Sequence, residues 1–156
     1  MAHLTHELLI RAPVDTVDAI VKDPRRWPEF WVGMSEPERV FGDGSPGTKA
    51  EFHQSIMGMH VRMVDRTVDE RHHPDGSSDW GWAFEGVTTG TLTCHHAPTA
   101  GGTRITTSFD YSVPGRAFGR VADHVFMEKR LRRDFLESLD NLKLLAESET
   151  AAAATG

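Results

Sequence analysis

The stretch GGTRITTSFDYSVPGRAFGRVADHVFMEKRLRRDFLESLDNLKLLAE, residues 101–147, decides the fold. Its first part alternates: Ile105, Thr107, Phe109, Tyr111 and Val113 fall on one side of an extended chain, because successive strand side chains point to opposite faces. Pro114-Gly115 ends the strand, since proline removes a backbone donor and glycine favours a turn. From about 116 to 147 there is no proline and a single glycine, Gly119, which predicts one helix of some 30 residues, on the order of 45 Å long. At 100° per residue its apolar stripe is centred on Val121, Val125, Phe135, Leu139 and Leu142. A helix of that length cannot bury its stripe alone and must lie across a sheet.

Upstream of this stretch the chain supplies the sheet. Strand-like runs at roughly 47–57, 58–70, 78–86 and 87–97 precede the strand at 102–113. They are separated by Gly58, by His73-Pro74-Asp75-Gly76, by Gly86 and by Ala100-Gly101-Gly102, and such short connections make an antiparallel meander. Further back, residues 3–10 suit a short strand. Val14, Val17, Ala19, Ile20 and Val21 then predict a helix of about 13–22, with Pro13 at its start. Asp23-Pro24 breaks that helix, and a second short one, about 24–34 and kinked at Pro28, carries Trp27, Phe30, Trp31 and Met34. The expected architecture is α+β: a curved antiparallel sheet of about seven strands around a long C-terminal helix, with two short helices after the first strand. It forms one domain over 1–147, and SETAAAATG at 148–156 is expected to be a disordered tail.

Bulk properties narrow the function classes. A chain of 156 residues fits one domain large enough for a core with a hollow in it. The formal net charge of −6 gives no electrostatic footprint for nucleic acid or an anionic membrane. No stretch approaches the ~20 apolar residues of a membrane span, so stable insertion is not expected. The single Cys94 forms no internal disulfide and no signal peptide is visible, so a reducing, cytoplasmic location is expected.

IRAPVDTVDAIVKDPRRWPEFW at 10–31 resembles the opening of the START-like (SRPBCC) superfamily, in particular its polyketide cyclase/dehydrase and lipid-transport branch. The shared features are an Ala-Pro helix start, an aliphatic helix, then an Asp and a Trp-Pro pair before a Trp. The strand and Pro-Gly exit at 101–115, followed by the long helix, are similar too, and the resemblance spans about residues 3–147. It implies the helix-grip fold and an enclosed apolar pocket. Some members cyclise and dehydrate poly-β-ketone chains, while others carry lipids or hormones and do no chemistry. The superfamily has no shared catalytic motif, so the resemblance assigns no catalytic residue.

Candidate residues come from the patterns themselves. His124, Glu128 and Arg132 stack at i, i+4 and i+8 within or beside the apolar stripe of the long helix. Facing a cavity, His124 and Glu128 would serve as general base and acid, and Arg132 would hold an enolate or carboxylate oxygen. The alternative is a marginal Glu128–Arg132 ion pair with a solvated His124. Tyr111, near the strand exit, would donate a proton or orient a ketone; its alternative is a core Tyr satisfied by backbone.

Trp80, Trp82 and Phe84 share a face, as do Ala50, Phe52, Gln54 and Ile56, while Met57, Met59, Val61 and Met63 continue across a turn. The expected ligand-binding set is Trp27 and Trp31 as a lid, with Phe52, Gln54, Met59, Trp80, Trp82, Thr107, Phe109, Val121 and Val125 as walls, and Gln54 as a carbonyl anchor. The cavity should lie under 116–132.

Other motifs lack the context their chemistry requires. GDGSPG at 42–47 matches G-x-G-x-x-G, but a strand rather than a helix follows it. His72-His73 sits in a turn. In Cys94-His95-His96 only Cys94 and His96 share a face, without an evident third ligand. No metal or other cofactor is expected. The leading expectation is a polyketide-cyclase-like enzyme that binds a largely apolar, polyoxygenated molecule and promotes ring closure or dehydration by positioning and acid–base catalysis. The alternatives are a non-catalytic carrier for a lipid or other hydrophobic metabolite, and a regulatory domain of the same fold. A hydrophobic small molecule is the expected partner, and the chain is expected to be a monomer or homodimer.

Overall fold

The computed structural model describes residues 1–112 and 121–155, with the side chains of 121–123 excepted. In chain order it has β1 (Ala2–Ile10), α1 (Val14–Lys22), a 3₁₀ turn (Pro24–Glu29), β2 (Arg39–Phe41), β3 (Lys49–Ile56), β4 (Met59–His72), β5 (Ser78–Glu85), β6 (Gly90–Thr99), β7 (Gly102–Tyr111) and α2 (Val121–Thr155). The strands form one antiparallel sheet in the order β1-β7-β6-β5-β4-β3-β2. This is the expected helix-grip arrangement. The expectations for Val113, Pro114-Gly115, the helix before Val121 and the Val121 side chain lie outside the described residues.

Alternation sets which face is buried. Ile105, Thr107, Phe109 and Tyr111 of β7, Trp80 and Trp82 of β5, and Ala50, Phe52 and Ile56 of β3 all turn inward. The β4 strand changes register between Thr67 and Asp69, a bulge that adds local bend and twist to the sheet. In the turn at 42–47, Gly42, Gly44 and Gly47 have φ values of 121°, 98° and 98°. This left-handed backbone explains the glycines without a phosphate.

The buried side of α1 holds Val14, Val17, Asp18, Ile20 and Val21, so it is apolar but for one carboxylate. The 3₁₀ turn is capped by Asp23, whose carboxylate accepts from Arg25 N at 3.0 Å. It is pinned by Trp27 Nε1, which donates to Val21 O at 2.8 Å.

On α2, Phe135, Leu139, Leu142 and Ala146 are buried at the i, i+4, i+7, i+11 spacing of one helical face. Ser138 Oγ accepts from Val32 N at 2.9 Å and Asn141 Nδ2 donates to Phe30 O at 3.2 Å, fixing the segment after the 3₁₀ turn against the helix. Lys143 Nζ donates to Leu9 O at 2.8 Å, and Arg26 pairs with Glu149. Helix α2 continues through Thr155, past the point where a disordered tail is expected, although residues 151–155 are all exposed. The physical reason is composition: the alanines of 151–154 have the highest helix propensity and extend a helix already nucleated by packing. Among the described residues no helix is long and apolar enough to cross a membrane.

Candidate functional site

A cavity of about 120 Å³ lies between the concave face of the sheet, the segment after α1 and the middle of α2. Trp27, Trp31, Phe52, Gln54, Trp82 and Phe109 line it, as the sequence leads one to expect. The helix contributes Leu131, Asp134, Phe135, Leu139 and Leu142, so among the described residues the cavity begins where the expected 116–132 span ends. Its walls are interlocked aromatic rings. Phe109 stacks on Phe135 with centroids 4.7 Å apart, and Trp31 meets both edge-on at 6.4 and 6.1 Å. Trp27 meets Trp82 edge-on at 6.4 Å. The void is near the size that holds one benzene ring, so a larger ligand requires these rings to move.

Several expected site residues stand elsewhere. Met59 is 42% exposed, because Met57 and Gly58 form a two-residue turn with positive φ and the strand end projects beyond the core. Met63, four residues further along the same face, lines the cavity instead. Trp80 lies behind Trp82, stacked at 6.0 Å, and does not reach the lining. Thr107 donates to His6 O at 3.1 Å, so its hydroxyl is satisfied by backbone. Val125 is 51% exposed, and His124, Glu128 and Arg132 are exposed as well. The correction has a positional cause: His124 and Glu128 share the helical face of the buried Leu142 and Ala146, eighteen residues on, but among the described side chains of α2 before Phe135 only Met127 is buried, so this first part of the helix is little covered. Tyr111 is buried one ring behind the wall, stacked on Phe109 at 4.7 Å. Burial pushes its hydroxyl pKa up, Glu128 adds to this, and Arg132 opposes it. Gln54 uses its Nε2 to donate to Val32 O at 2.7 Å, which holds the lid segment to the wall.

The polar chemistry of the cavity comes from other residues. Four buried side-chain polar atoms among the described residues have no hydrogen-bond partner: Asp65 Oδ1, Thr67 Oγ1, Trp82 Nε1 and His96 Nε2. Asp65, Trp82 and His96 all line the cavity. Buried polar groups are normally paired, so three orphans in one lining mark where a ligand's polar atoms would sit.

His96 has no exposed surface, and its Nδ1 lies 2.7 Å from Asp18 Oδ1. The same oxygen accepts from Ser78 Oγ at 2.8 Å and from Trp80 Nε1 at 3.0 Å. Burial alone would raise the Asp18 pKa, but the hydrogen bonds from His96, Ser78 and Trp80 outweigh it and hold the carboxyl below the usual range. His72 stands outside this cluster, its Nδ1 3.9 Å from Asp18 Oδ2. Asp65 is the opposite case. With no countercharge or hydrogen bond to offset burial, its pKa is pushed up to about 8. Burial also raises the Cys94 thiol to about 12, so it is held as an inert thiol in the wall.

Sequence signals for these residues exist but are weak. Asp18 interrupts the apolar side of α1, and Asp65 shares a strand face with Met63. His96 shares a face with Cys94, while His95 points outward to Asp79, 2.6 Å away. Among the described residues no group of three or more His, Cys, Asp or Glu side chains is arranged as metal ligands.

An antiparallel sheet gripping a long helix, with an apolar cavity between them, defines a START-like ligand-binding domain. The chain belongs to the polyketide cyclase / dehydrase and lipid transport family, which it matches over residues 1–147. Among solved structures it is similar to a START superfamily protein from Mycobacterium smegmatis, with a TM-score of 0.68, 17% identity, and coverage of 95% of this chain and 99% of that one. It is similar also to the Zhui aromatase/cyclase from Streptomyces sp. R1128, with a TM-score of 0.68, 14% identity, and coverage of 94% and 93%. A protein from Thermus thermophilus gives a TM-score of 0.67 at 20% identity, covering 99% of this chain and 100% of its own. At these identities the likeness is one of fold. No curated protein sequence matches the chain significantly.

Proposed function

We propose that the protein binds a largely apolar, polyoxygenated small molecule in this cavity and promotes its ring closure and dehydration. The observation that carries the reading is His96: a fully buried imidazole with one nitrogen on a carboxylate and the other, unpartnered, in the cavity lining. A carboxylate on Nδ1 fixes the ring's orientation and tautomer and makes the free Nε2 a proton acceptor. In a poly-β-ketone, His96 Nε2 would take a proton from a carbon between two carbonyls. That carbon would attack a distant ketone, and the resulting alkoxide would take the proton back as a hydroxyl. Loss of that hydroxyl with a neighbouring hydrogen releases water. Confinement among Trp31, Phe109 and Phe135 would hold the chain folded, which supplies much of the rate.

The test is incubation with a linear poly-β-ketone, followed by mass spectrometry for loss of water. Wild-type protein is expected to give one dominant cyclised product, and His96→Gln the mixture formed without protein. A carrier reading is favoured by the otherwise apolar lining. Recovery of an intact ligand after prolonged incubation would support it over the enzyme.

A further inference from the structure

Asp65 and Trp82 are diagonal neighbours on the concave face. Asp65 pairs in register with Phe84 and Thr67 with Trp82, so the carboxyl and the indole stand about 7–8 Å apart at the backbone, close enough to share one ligand group. Both carry a buried polar atom without a partner, and both line the cavity. Trp82 Nε1 can only donate a hydrogen bond, and a carboxyl kept neutral donates through its O–H.

Among the described residues no lysine or arginine lines this cavity. The titratable residues of the lining are Asp65, Cys94, His96 and Asp134, and Asp134 pairs with Arg130 at 3.0 Å. The lysine and arginines of β3 and β4 nearest Asp65 point to the opposite face: Lys49 and Arg62 pair with Glu51 at 3.2 and 3.1 Å, and Arg66 with Glu85 at 2.7 Å; His72, at the far end of β4, lies by Asp18. Across from Asp65 stand Ala50 and Phe84, both apolar. With no described group to stabilise its charge, burial pushes the Asp65 carboxyl up to about 8, which favours the protonated acid at neutral pH.

We infer that Asp65 and Trp82 form a two-donor site for a neutral oxygen acceptor, a ketone or quinone carbonyl on an otherwise apolar ligand, and that this site excludes carboxylates such as fatty acid anions. This rests on the cavity being a ligand site, and it specifies which ligands enter. Among the described lining residues an anion would be buried beside Asp65 and Asp134 with no lysine or arginine to pair with.

Three single-ring probes of similar shape separate the possibilities: isopropylbenzene, acetophenone and benzoate. Binding is followed by ¹H–¹⁵N NMR of the indole N–H signals of the four tryptophans, with Trp82 assigned from the spectrum of Trp82→Phe. At pH 7 acetophenone is expected to bind at least about tenfold more tightly than benzoate and to move the Trp82 N–H signal downfield. Asp65→Leu is expected to shift the acetophenone-to-isopropylbenzene affinity ratio against the ketone on the order of fivefold, while Asp65→Asn, which keeps a donor, largely preserves it. In wild type the ratio falls between pH 7 and 9.5; in Asp65→Asn it stays flat. Benzoate binding as tightly as acetophenone, or an unchanged ratio in a folded Asp65→Leu, overturns the inference and leaves the cavity reading intact. Failure of all three probes to bind wild type overturns both.

Discussion

His96 Nδ1 lies 2.7 Å from Asp18 Oδ1, and this contact joins the cavity wall to the buried side of α1. Asp18 gathers donors from three inward-facing residues, Ser78 and Trp80 on β5 and His96 on β6. In register His96 stands directly opposite Ser78, so one carboxylate satisfies adjacent strands at once. The same arrangement that docks the helix on the sheet leaves the second imidazole nitrogen free in the lining. Structural support and candidate chemistry therefore share one group.

Removal of that carboxylate leaves the Ser78 hydroxyl and His96 Nδ1 unpaired and Trp80 Nε1 with only Ser78 Oγ, 3.1 Å away. Asp18→Ala is expected to cost roughly 3–5 kcal/mol, and Asp18→Asn, which retains an acceptor oxygen, less. Urea denaturation checks this: the midpoint should fall while the slope stays constant. The pH dependence has a definite sign. The folded-state pKa of Asp18 is depressed, so its contribution is fully present above the unfolded value of about 3.9 and is lost as pH falls through the lower folded value. Wild type should lose more stability than Asp18→Asn on going from pH 4 downward.

The fold was legible because it rests on periodicity. The alternation of Ile105, Thr107, Phe109 and Tyr111, and the helical repeat of Phe135, Leu139 and Leu142, need no partner to be recognised, and all seven are buried. The aromatic lining was legible for the same reason, since Trp27, Trp31, Trp82 and Phe109 must find cover somewhere. The polar set was not. Whether His124 or His96 reaches a cavity depends on where α2 sits on the sheet, and periodicity places a helical side chain only to within about a turn. The partnership of Asp18 with His96 spans 78 positions and exists only once α1 is docked. Asp65 stands out only after its lack of any partner is known.

Asp65 should make the protein less stable at neutral pH than in mild acid. Its folded pKa of about 8 lies above the ordinary 3.8. As pH rises from 4 to 8 the unfolded chain ionises freely while the folded chain resists, and stability falls until about pH 8 and then levels off. Asp65→Asn removes this dependence at the cost of burying an amide. The net expectation is a gain of about 1–3 kcal/mol at pH 7.5 and little change at pH 4. Chemical denaturation of both proteins at the two pH values decides it. Equal stability differences at both would show that the carboxyl is already ionised in the fold.

Cys94 should be silent to thiol reagents in the native state. It is buried in the wall with a pKa raised to about 12, so at pH 8 almost none is thiolate. Labelling with a chromogenic disulfide is expected to be slow in buffer and complete in denaturant, with one equivalent released per chain. Rapid labelling of folded protein would mean that the wall opens often, and a saturating acetophenone probe should then slow the reaction.

Substitution in the first turns of α2 separates the two sets of proton-handling candidates. His124 and Glu128 are exposed and absent from the lining, whereas His96 is fully buried within it. A His124→Gln, Glu128→Gln double variant is expected to keep wild-type stability within about 0.5 kcal/mol, as exposed positions usually do. It should also bind acetophenone within a factor of two and form the same cyclised product from a poly-β-ketone. His96→Gln should retain the probe, since the hydrophobic walls remain, yet lose the product preference, because an amide cannot accept and return a proton at neutral pH. If instead the double variant loses the product and His96→Gln keeps it, proton transfer occurs at the start of α2, and the imidazole of His96 serves only to hold α1 on the sheet.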